Sequence, residues 1–353
     1  MNGGVKVAHL GEGNTPLIRS EWIGPSLGLA NLFFKLENCN PSGSYKDRFV
    51  AAEVSRLLRI GARGCLATSS GNAGSSLASY CARYGISCSI VVNENAPAGK
   101  LEQMQAHGAH VFRVRGFITS PSVTTGVFEI LSRLATERDV PLVVSAFRYC
   151  PEGMVGVQSL AYELLQQVTP HIDHVFIPIG GGGLFSAVCL GFEHSDFGAA
   201  RPKVHAVQPK GCSTVVASYE RGDDEIRPVE STTRISGLSV PYDIDAALAL
   251  KLLRRCGGMA FGVDDDEVYE AQRLMLMREG IYCEPAAATG LAGMMHALKR
   301  GLINRQDNIV CLVTGHGFKD PDSIRRAAAQ NAAALIDPGE LQDAILRNIP
   351  SCA

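Results

Sequence analysis

Two hydrophobic patterns alternate along most of this chain. Short apolar runs are separated by stretches in which apolar side chains return every three or four positions. Leu32-Phe33-Phe34-Lys35-Leu36 predicts a strand. Asp47 to Ile60, with Val50, Val54, Leu57 and Leu58 at helical spacing, predicts a helix. The same alternation predicts strands over 64–68, 88–92 and 110–114, with helices over 72–84 and 100–107 between them. In the second half, Val175-Phe176-Ile177-Pro178-Ile179, Lys203-Val204-His205-Ala206-Val207 and Ile309-Val310-Cys311-Leu312-Val313 are apolar enough for buried strands, and helices are predicted over 155–167 and 266–278. A β-α-β-α order implies an α/β fold with mostly parallel sheets covered by helices on both faces. There is no internal repeat, low-complexity tract or long linker. Residues 220–231 are polar and predict a surface loop, and the tail after Asp337 predicts a peripheral segment.

Composition narrows the function classes. The 353 residues are 46% hydrophobic, enough for two packed domains sharing an interface. A formal net charge of −2, with no lysine- or arginine-rich run, leaves no footprint for nucleic acid. The apolar runs fall well short of the ~20 residues that span a bilayer, and Met1-Asn2-Gly3-Gly4-Val5-Lys6 carries no signal-peptide core. Eleven cysteines are scattered without a CxxC pair, which reads as free, mostly buried thiols in a reducing compartment, with the cytoplasm as the default location and no metal site. Cys81 and Cys88, in an apolar helix and the strand after it, read as packing residues.

Four short motifs carry candidate chemistry. Asn40-Pro41-Ser42-Gly43-Ser44-Tyr45-Lys46 ends a turn on a lysine just before a helix. There a partly desolvated amine can lose its proton and attack an aldehyde. Most lysines are simply solvated, and Asp47 and Arg48 beside it read as a structural ion pair. Ser69-Ser70-Gly71-Asn72-Ala73-Gly74 is a strand-to-helix junction. Its free backbone N–H groups favour an anion such as an amino-acid carboxylate, and Asn72 adds a side-chain amide. An ordinary N-cap turn is the plainer reading. Gly180-Gly181-Gly182-Gly183 lies between a strand and a helix, where four glycines let backbone wrap a phosphate. It is neither a Walker loop nor G-x-G-x-x-G, since Leu184, Phe185 and Ser186 follow. Thr314, at the carboxyl edge of the last core strand, offers a neutral hydroxyl where ligands gather in α/β sheets. Arg148 suits a carboxylate or phosphate, or a surface pair with Glu152. His316 reads as a loop histidine bonded to backbone, Asp264-Asp265-Asp266-Glu267 as a helix cap, and Glu284-Pro285 as a helix start close to the site.

One reactive amine, one asparagine turn, one anion cradle and one neutral hydroxyl are the parts that a bound pyridoxal phosphate needs. Their order and spacing resemble the fold-type II pyridoxal-phosphate enzymes, the group related to the tryptophan synthase β subunit. Within it, Gly11-Glu12-Gly13-Asn14-Thr15-Pro16-Leu17 and Thr314-Gly315-His316-Gly317-Phe318-Lys319-Asp320-Pro321 are similar to the opening and closing motifs of threonine synthases. The resemblance implies that Lys46 forms the Schiff base, Asn72 holds the ring 3′ oxygen, Gly180 to Gly183 hold the cofactor phosphate and Thr314 meets the ring nitrogen. It implies Ser69, Ser70, Gly71, Ala73 and Arg148 around the substrate, with Lys100 supporting the substrate's phosphate. It also implies a smaller domain over 46–145, a larger one from 1–45 plus 146–336, a peripheral tail at 337–353, the cofactor in the interdomain cleft, and a homodimer.

The implied reaction is that of a threonine-synthase-like lyase, converting O-phospho-L-homoserine and water to L-threonine and phosphate. Two departures keep other readings open. Threonine synthases usually carry Asn-Pro-x-Arg with polar residues ahead of it, where this chain has Leu142-Val143-Val144-Ser145-Ala146-Phe147-Arg148. Ala73 stands where a hydroxyl residue often helps bind the carboxylate, and tetraglycine followed by leucine looks more like a dehydratase. The alternatives are β-elimination or β-replacement on serine, threonine or an O-activated serine, and a non-catalytic amino-acid or nucleotide-binding protein.

Overall fold

The computed structural model describes residues 6–195, 201–331 and 333–349. Residues 1–5, read above for a signal segment, and 350–353, the end of the tail, lie outside them. Among the described residues, ten strands form two sheets. They are β1 (Leu17–Arg19), β2 (Asn31–Lys35), β3 (Gly64–Thr68), β4 (Ser87–Asn93), β5 (His110–Val114), β6 (Leu142–Val143), β7 (His174–Pro178), β8 (Lys203–Pro209), β9 (Ala260–Val263) and β10 (Asn308–Leu312). The larger sheet has the order β1-β2-β10-β7-β8-β9, and the smaller β5-β4-β3-β6. Every pairing is parallel except that of β1 with β2. Burial follows position: all five residues of the central strand β7 are buried, as a parallel strand covered on both faces requires.

The predicted elements recur within a residue or two, with one division. The helix expected over 155–167 is two helices, Pro151–Val157 and Ser159–Gln167. Pro151 starts the first, where its missing N–H costs nothing. At the break, Ser159 donates its hydroxyl to the Gly156 carbonyl at 2.7 Å and so competes with the helical ladder. The pattern passed over the helix Pro121–Arg138, whose buried residues are only Thr124 and Leu131, and the short edge strands β1 and β9.

The helix Lys46–Arg59 joins the two halves. It packs on Asn72–Tyr84 from one side and on Pro151–Val157 from the other. Glycine makes the second contact close: a Cβ on Gly156 would lie 2.4 Å from the Arg48 carbonyl oxygen, and one on Gly153 would lie 2.6 Å from the Phe49 ring.

Arg48 is only 3% exposed. Its guanidinium grips Glu37 through Nε (2.7 Å) and Nη2 (2.8 Å), and Glu163 through Nη1 (2.6 Å) and Nη2 (2.8 Å). Lys35, on β2, donates to Glu163 (2.7 Å), Gln167 (2.8 Å) and the Thr15 carbonyl (2.8 Å). Two cations thus balance two carboxylates. Asp47 and Arg48 are structural, as expected, but do not pair with each other. Asp47 is buried and accepts from Ser42 and Ser76. Burial alone would raise the Glu163 carboxyl; Arg48 and Lys35 instead hold it at about 2, against an ordinary 4.5.

A depressed carboxyl gives stability that is complete above its unfolded value and lost as pH falls through its folded one. The wild-type chain is expected to lose Glu163's contribution between about pH 4.5 and 2, whereas Glu163→Gln, less stable at neutral pH, shows a shallower acid slope. Urea titrations across that range measure it, and parallel slopes would refute it. Arg48→Met, which strands two buried carboxylates, is expected to cost about 3–5 kcal/mol in the same assay.

Candidate active site

Three stretches distant in sequence meet at the carboxyl edge of β10. The turn before Lys46 is tied to the segment after β10: Tyr45 N–H donates to the Thr314 carbonyl (3.1 Å), and His316 N–H to the Gly43 carbonyl (2.9 Å). Glu284 N–H donates to the Gly315 carbonyl (3.1 Å). Gly43 closes its turn with φ +86°, open to glycine at no steric cost. Lys46 therefore leaves the first helical position into a cavity of about 820 Å³. That cavity is also lined by Ser69, Ser70, Gly71, Asn72, Ala73, Ser145, Gly180 to Gly183, Asp245, Glu284 and Thr314. All four motifs read from the sequence face one space.

Lys46 donates to Ser145 Oγ at 2.7 Å, and its Nζ lies 4.9 Å from the Tyr45 ring centroid. Ser145 is the residue immediately after the apolar stretch 142–144, so one of the departures from the threonine-synthase pattern supplies the hydroxyl that holds the lysine.

The asparagine turn is set by its serines. Ser69 Oγ accepts from Gly71 N–H (3.2 Å) and Gly74 N–H (3.0 Å), and Ser70 Oγ accepts from Asn93 N–H (2.8 Å) on β4. A Cβ on Gly74 would lie 2.7 Å from the Ser69 carbonyl oxygen, so the first helical turn can seat itself only on glycine. Asn72 Nδ2 donates to Glu284 Oε1 at 2.6 Å, and its buried Oδ1 has no protein partner. Because a carboxylate only accepts, Glu284 fixes which way the Asn72 amide faces. Gly315 makes room for this contact: a Cβ there would stand 2.1 Å from Glu284 Oε1 and 3.0 Å from Asn72 Nδ2.

The glycine loop opens the helix Gly183–His194, whose first N–H groups have no partner within the helix. Gly182 has φ +99°, and a Cβ on it would lie 2.5 Å from the Asp245 carbonyl oxygen; a Cβ on Gly180 would lie 2.8 Å from that of Gly237. The loop is thus clamped against 237–245. Asp245 accepts from the backbone N–H groups of Phe147 (2.8 Å) and Arg148 (3.2 Å). Burial raises its carboxyl against those bonds and against the nearby Lys46 charge. Thr314 is buried, two residues beyond the end of β10.

Two expected substrate residues do not line the cavity. Arg148 is exposed, and Glu152 pairs with Arg59 instead of with it. Lys100 is fully buried, its ammonium 3.0 Å from Glu284 Oε2 and 3.2 Å from Ser236 Oγ. It therefore stands behind Asn72 as the third member of a buried row. Next to that row, burial pulls Lys319 down to about 8, and it donates to Gln103 at 2.7 Å. Lys319 and His316 face a separate cavity of about 800 Å³, and His316 accepts from Phe318 N–H. Asp264 and Glu267 form a capping box. The sequence reading missed Asp245 and the loop Thr233–Val240. The one local signal for the loop was Gly237, at φ +93°.

The description "Pyridoxal-phosphate dependent enzyme" matches residues 8–315, which is most of the chain. The chain belongs to this family of pyridoxal-phosphate-dependent enzymes. It is 34% identical to the threonine synthase of Methanocaldococcus jannaschii over 92% of its own length and 80% of that protein. It is 32% identical to that of a Bacillus species over 88% and 84%. Maize serine racemase superposes with a TM-score of 0.73 at 25% identity, covering 95% of this chain and 92% of that one.

The residues present fit the family's cofactor. A lysine amine, an amide with an unpartnered buried oxygen, a glycine loop at a helix N-terminus and a neutral hydroxyl surround one cavity. Gly315→Ala pushes Glu284 off Asn72 and is expected to weaken cofactor retention about tenfold, ~1.4 kcal/mol, with an unchanged far-ultraviolet spectrum. Equilibrium dialysis against pyridoxal phosphate measures it. Wild-type affinity in that variant would show that the Asn72–Glu284 contact does not matter.

Proposed function

We propose that the enzyme converts O-phospho-L-homoserine and water to L-threonine and phosphate. The observation that carries this reading is the convergence of Lys46, Asn72, the glycine loop and Thr314 on one cavity, in a chain a third identical to threonine synthases. When bound, pyridoxal phosphate supplies the electron sink for carbanion chemistry at the substrate's carbons. Gly180 to Gly183 would hold its phosphate, Asn72 its 3′ oxygen and Thr314 its ring nitrogen. A hydroxyl at that nitrogen leaves it less protonated than an aspartate would.

Among the described residues Lys46 is the one lysine on the cavity wall and the group placed to move protons at the substrate's α and β carbons. Ser145 Oγ accepts from it at 2.7 Å and orients it toward the cavity. The turn Ser69 to Ala73 presents N–H groups and the helix dipole to the substrate carboxylate. The substrate phosphate needs cations, and Arg148 and Lys100 stand elsewhere. At the cavity mouth, Arg234 and Arg326 lie 5.4 and 4.0 Å from the Tyr269 ring centroid. These two are the groups we assign to it. Phosphate then leaves the γ carbon and water adds at the β carbon.

Residues 46–145 would form the domain that closes over the remainder, with the cofactor between them. No helix is long and apolar enough to cross a membrane among the described residues, and the family resemblance supports a cytoplasmic homodimer.

A second reading has its own observation. Arg148 points to solvent behind the apolar Leu142 and Val143, which favours β-elimination or β-replacement on serine, threonine or an O-activated serine. Cofactor-loaded enzyme given O-phospho-L-homoserine distinguishes them. Phosphate and threonine in equal amounts are expected; no turnover with intact cofactor spectrum supports the second reading. Lys46→Ala is expected to keep the fold and lose steady-state turnover under either, and retained turnover would overturn both.

A further inference from the structure

Cys65 on β3, Cys88 on β4 and Cys81 on the helix Asn72–Tyr84 place their three sulfurs within 4.8 Å of one another. The arrangement follows from the register. Cys65 and Cys88 are direct partners on adjacent parallel strands, so their side chains share a face of the sheet, and Cys81 descends onto that face from the helix above. All three are buried, at 2%, 4% and 1% exposure, and Cys65 and Cys81 lie 3.8 Å apart, sulfur to sulfur. Neither the cofactor cavity nor the reaction uses them: they sit near the amino ends of β3 and β4, away from the carboxyl edge that carries Asn72.

We propose that these three cysteines form a trigonal site for one thiophilic monovalent ion, copper(I). A metal–sulfur bond of about 2.3 Å in a trigonal plane sets the sulfurs roughly 4 Å apart, close to the 3.8 Å already present between Cys65 and Cys81. Soft sulfur ligands select copper(I) over harder ions. Among the described residues no fourth histidine, cysteine, aspartate or glutamate joins the group, which leaves a tetrahedral zinc ion one ligand short. On binding, the thiols lose their protons to solvent and the sulfurs hold the ion as thiolates, the copper staying copper(I) throughout. The residues flanking the cluster at the amino end of β4, Arg83, Gly85 and Ser87, are exposed, and Gly85 ends the helix with φ +66°, one turn beyond Cys81. A bound ion would pin β3, β4 and the helix together, stabilising the fold by mass action.

The test titrates reduced, metal-free, cofactor-loaded protein anaerobically with copper(I) against a competing chelator. One ion per chain held against the chelator, a sulfur-to-copper charge-transfer band, and three sulfur neighbours by X-ray absorption are expected, with a raised melting temperature. Cys88→Ser should lose the tight ion. Cys256→Ser should keep it, although Cys256 lies beside Cys189 as the rival thiol pair. Absorption data showing two sulfurs, or nitrogen and oxygen neighbours, on the wild-type protein would overturn the site even if Cys88→Ser failed to fold. So would loss of the ion in Cys256→Ser.

Discussion

The Arg48 guanidinium, held between Glu37 and Glu163, is the contact on which the rest of the structure depends. It lies two residues after Lys46 in the same helix, and its carboxylate partners belong to the segment after β2 and the helix Ser159–Gln167. Glu37 is fully buried and Glu163 partly so. Desolvating such charges costs several kcal/mol each unless every lone pair is met. Here the debt is covered by number: Thr15 Oγ1 and Asn40 Nδ2 donate to Glu37, and Asn14 N–H and Lys35 to Glu163. The opening motif Gly11–Leu17 is therefore a structural element. Its left-handed residues Gly13 (φ +83°) and Asn14 (φ +46°) turn the chain so that its polar groups reach the buried ions. A buried network of this kind sets direction more than it adds stability, and the direction it sets is that of Lys46.

The same economy governs the cofactor side. Asn72, Glu284 and Lys100 make a buried row, donor to carboxylate to ammonium, that ends on Ser236. Each residue comes from a different part of the chain: the turn after β3, the start of the helix Pro285–Lys299, the helix Ala98–Ala106 and the loop before Val240. A row assembled this way cannot be shifted at one end without moving the others. Gly315, Gly74 and Gly182 are the places where no side chain fits between such neighbours. Glycine marks close approach at these positions, and it marks the site more reliably than any charged residue does.

Most of the fold was legible because its parallel strands are buried on both faces and so read as apolar runs, while the helices between them keep a 3.6-residue period. The short edge strands β1 and β9, of three and four residues, gave no such signal, whereas β6 was legible as the apolar run Leu142-Val143-Val144. The four site motifs were legible because glycine, serine and asparagine in tight clusters have few other uses. Asp245 and the loop Thr233–Val240 were not, because their role comes from folding back over the glycine loop about 50 to 65 residues after it, a contact no local pattern encodes. Lys100 and Arg148 show the opposite failure. Charge and spacing suggested anion binding, but a buried carboxylate claims the first and solvent claims the second.

The departure in the stretch 142–148 has a physical consequence. Leu142 and Val143 form β6, the short strand at the edge of the smaller sheet, where apolar residues pair with Leu66 and Ala67 of β3. Polar side chains there would face the core or the sheet edge, so donors lost at these positions are exchanged for packing. Ser145, two residues past that strand on the cavity wall, takes the lysine, and the chain then turns so that Phe147 and Arg148 give their N–H groups to Asp245. That turn sends the Arg148 side chain outward. Arg234 and Arg326, beside the face of Tyr269, line the same cavity together with the carboxylates Asp320 and Asp322, and the two arginines are the groups proposed to meet a distal anionic group of the substrate. The groups proposed for the substrate's phosphate are thus separate from the buried network that positions Lys46.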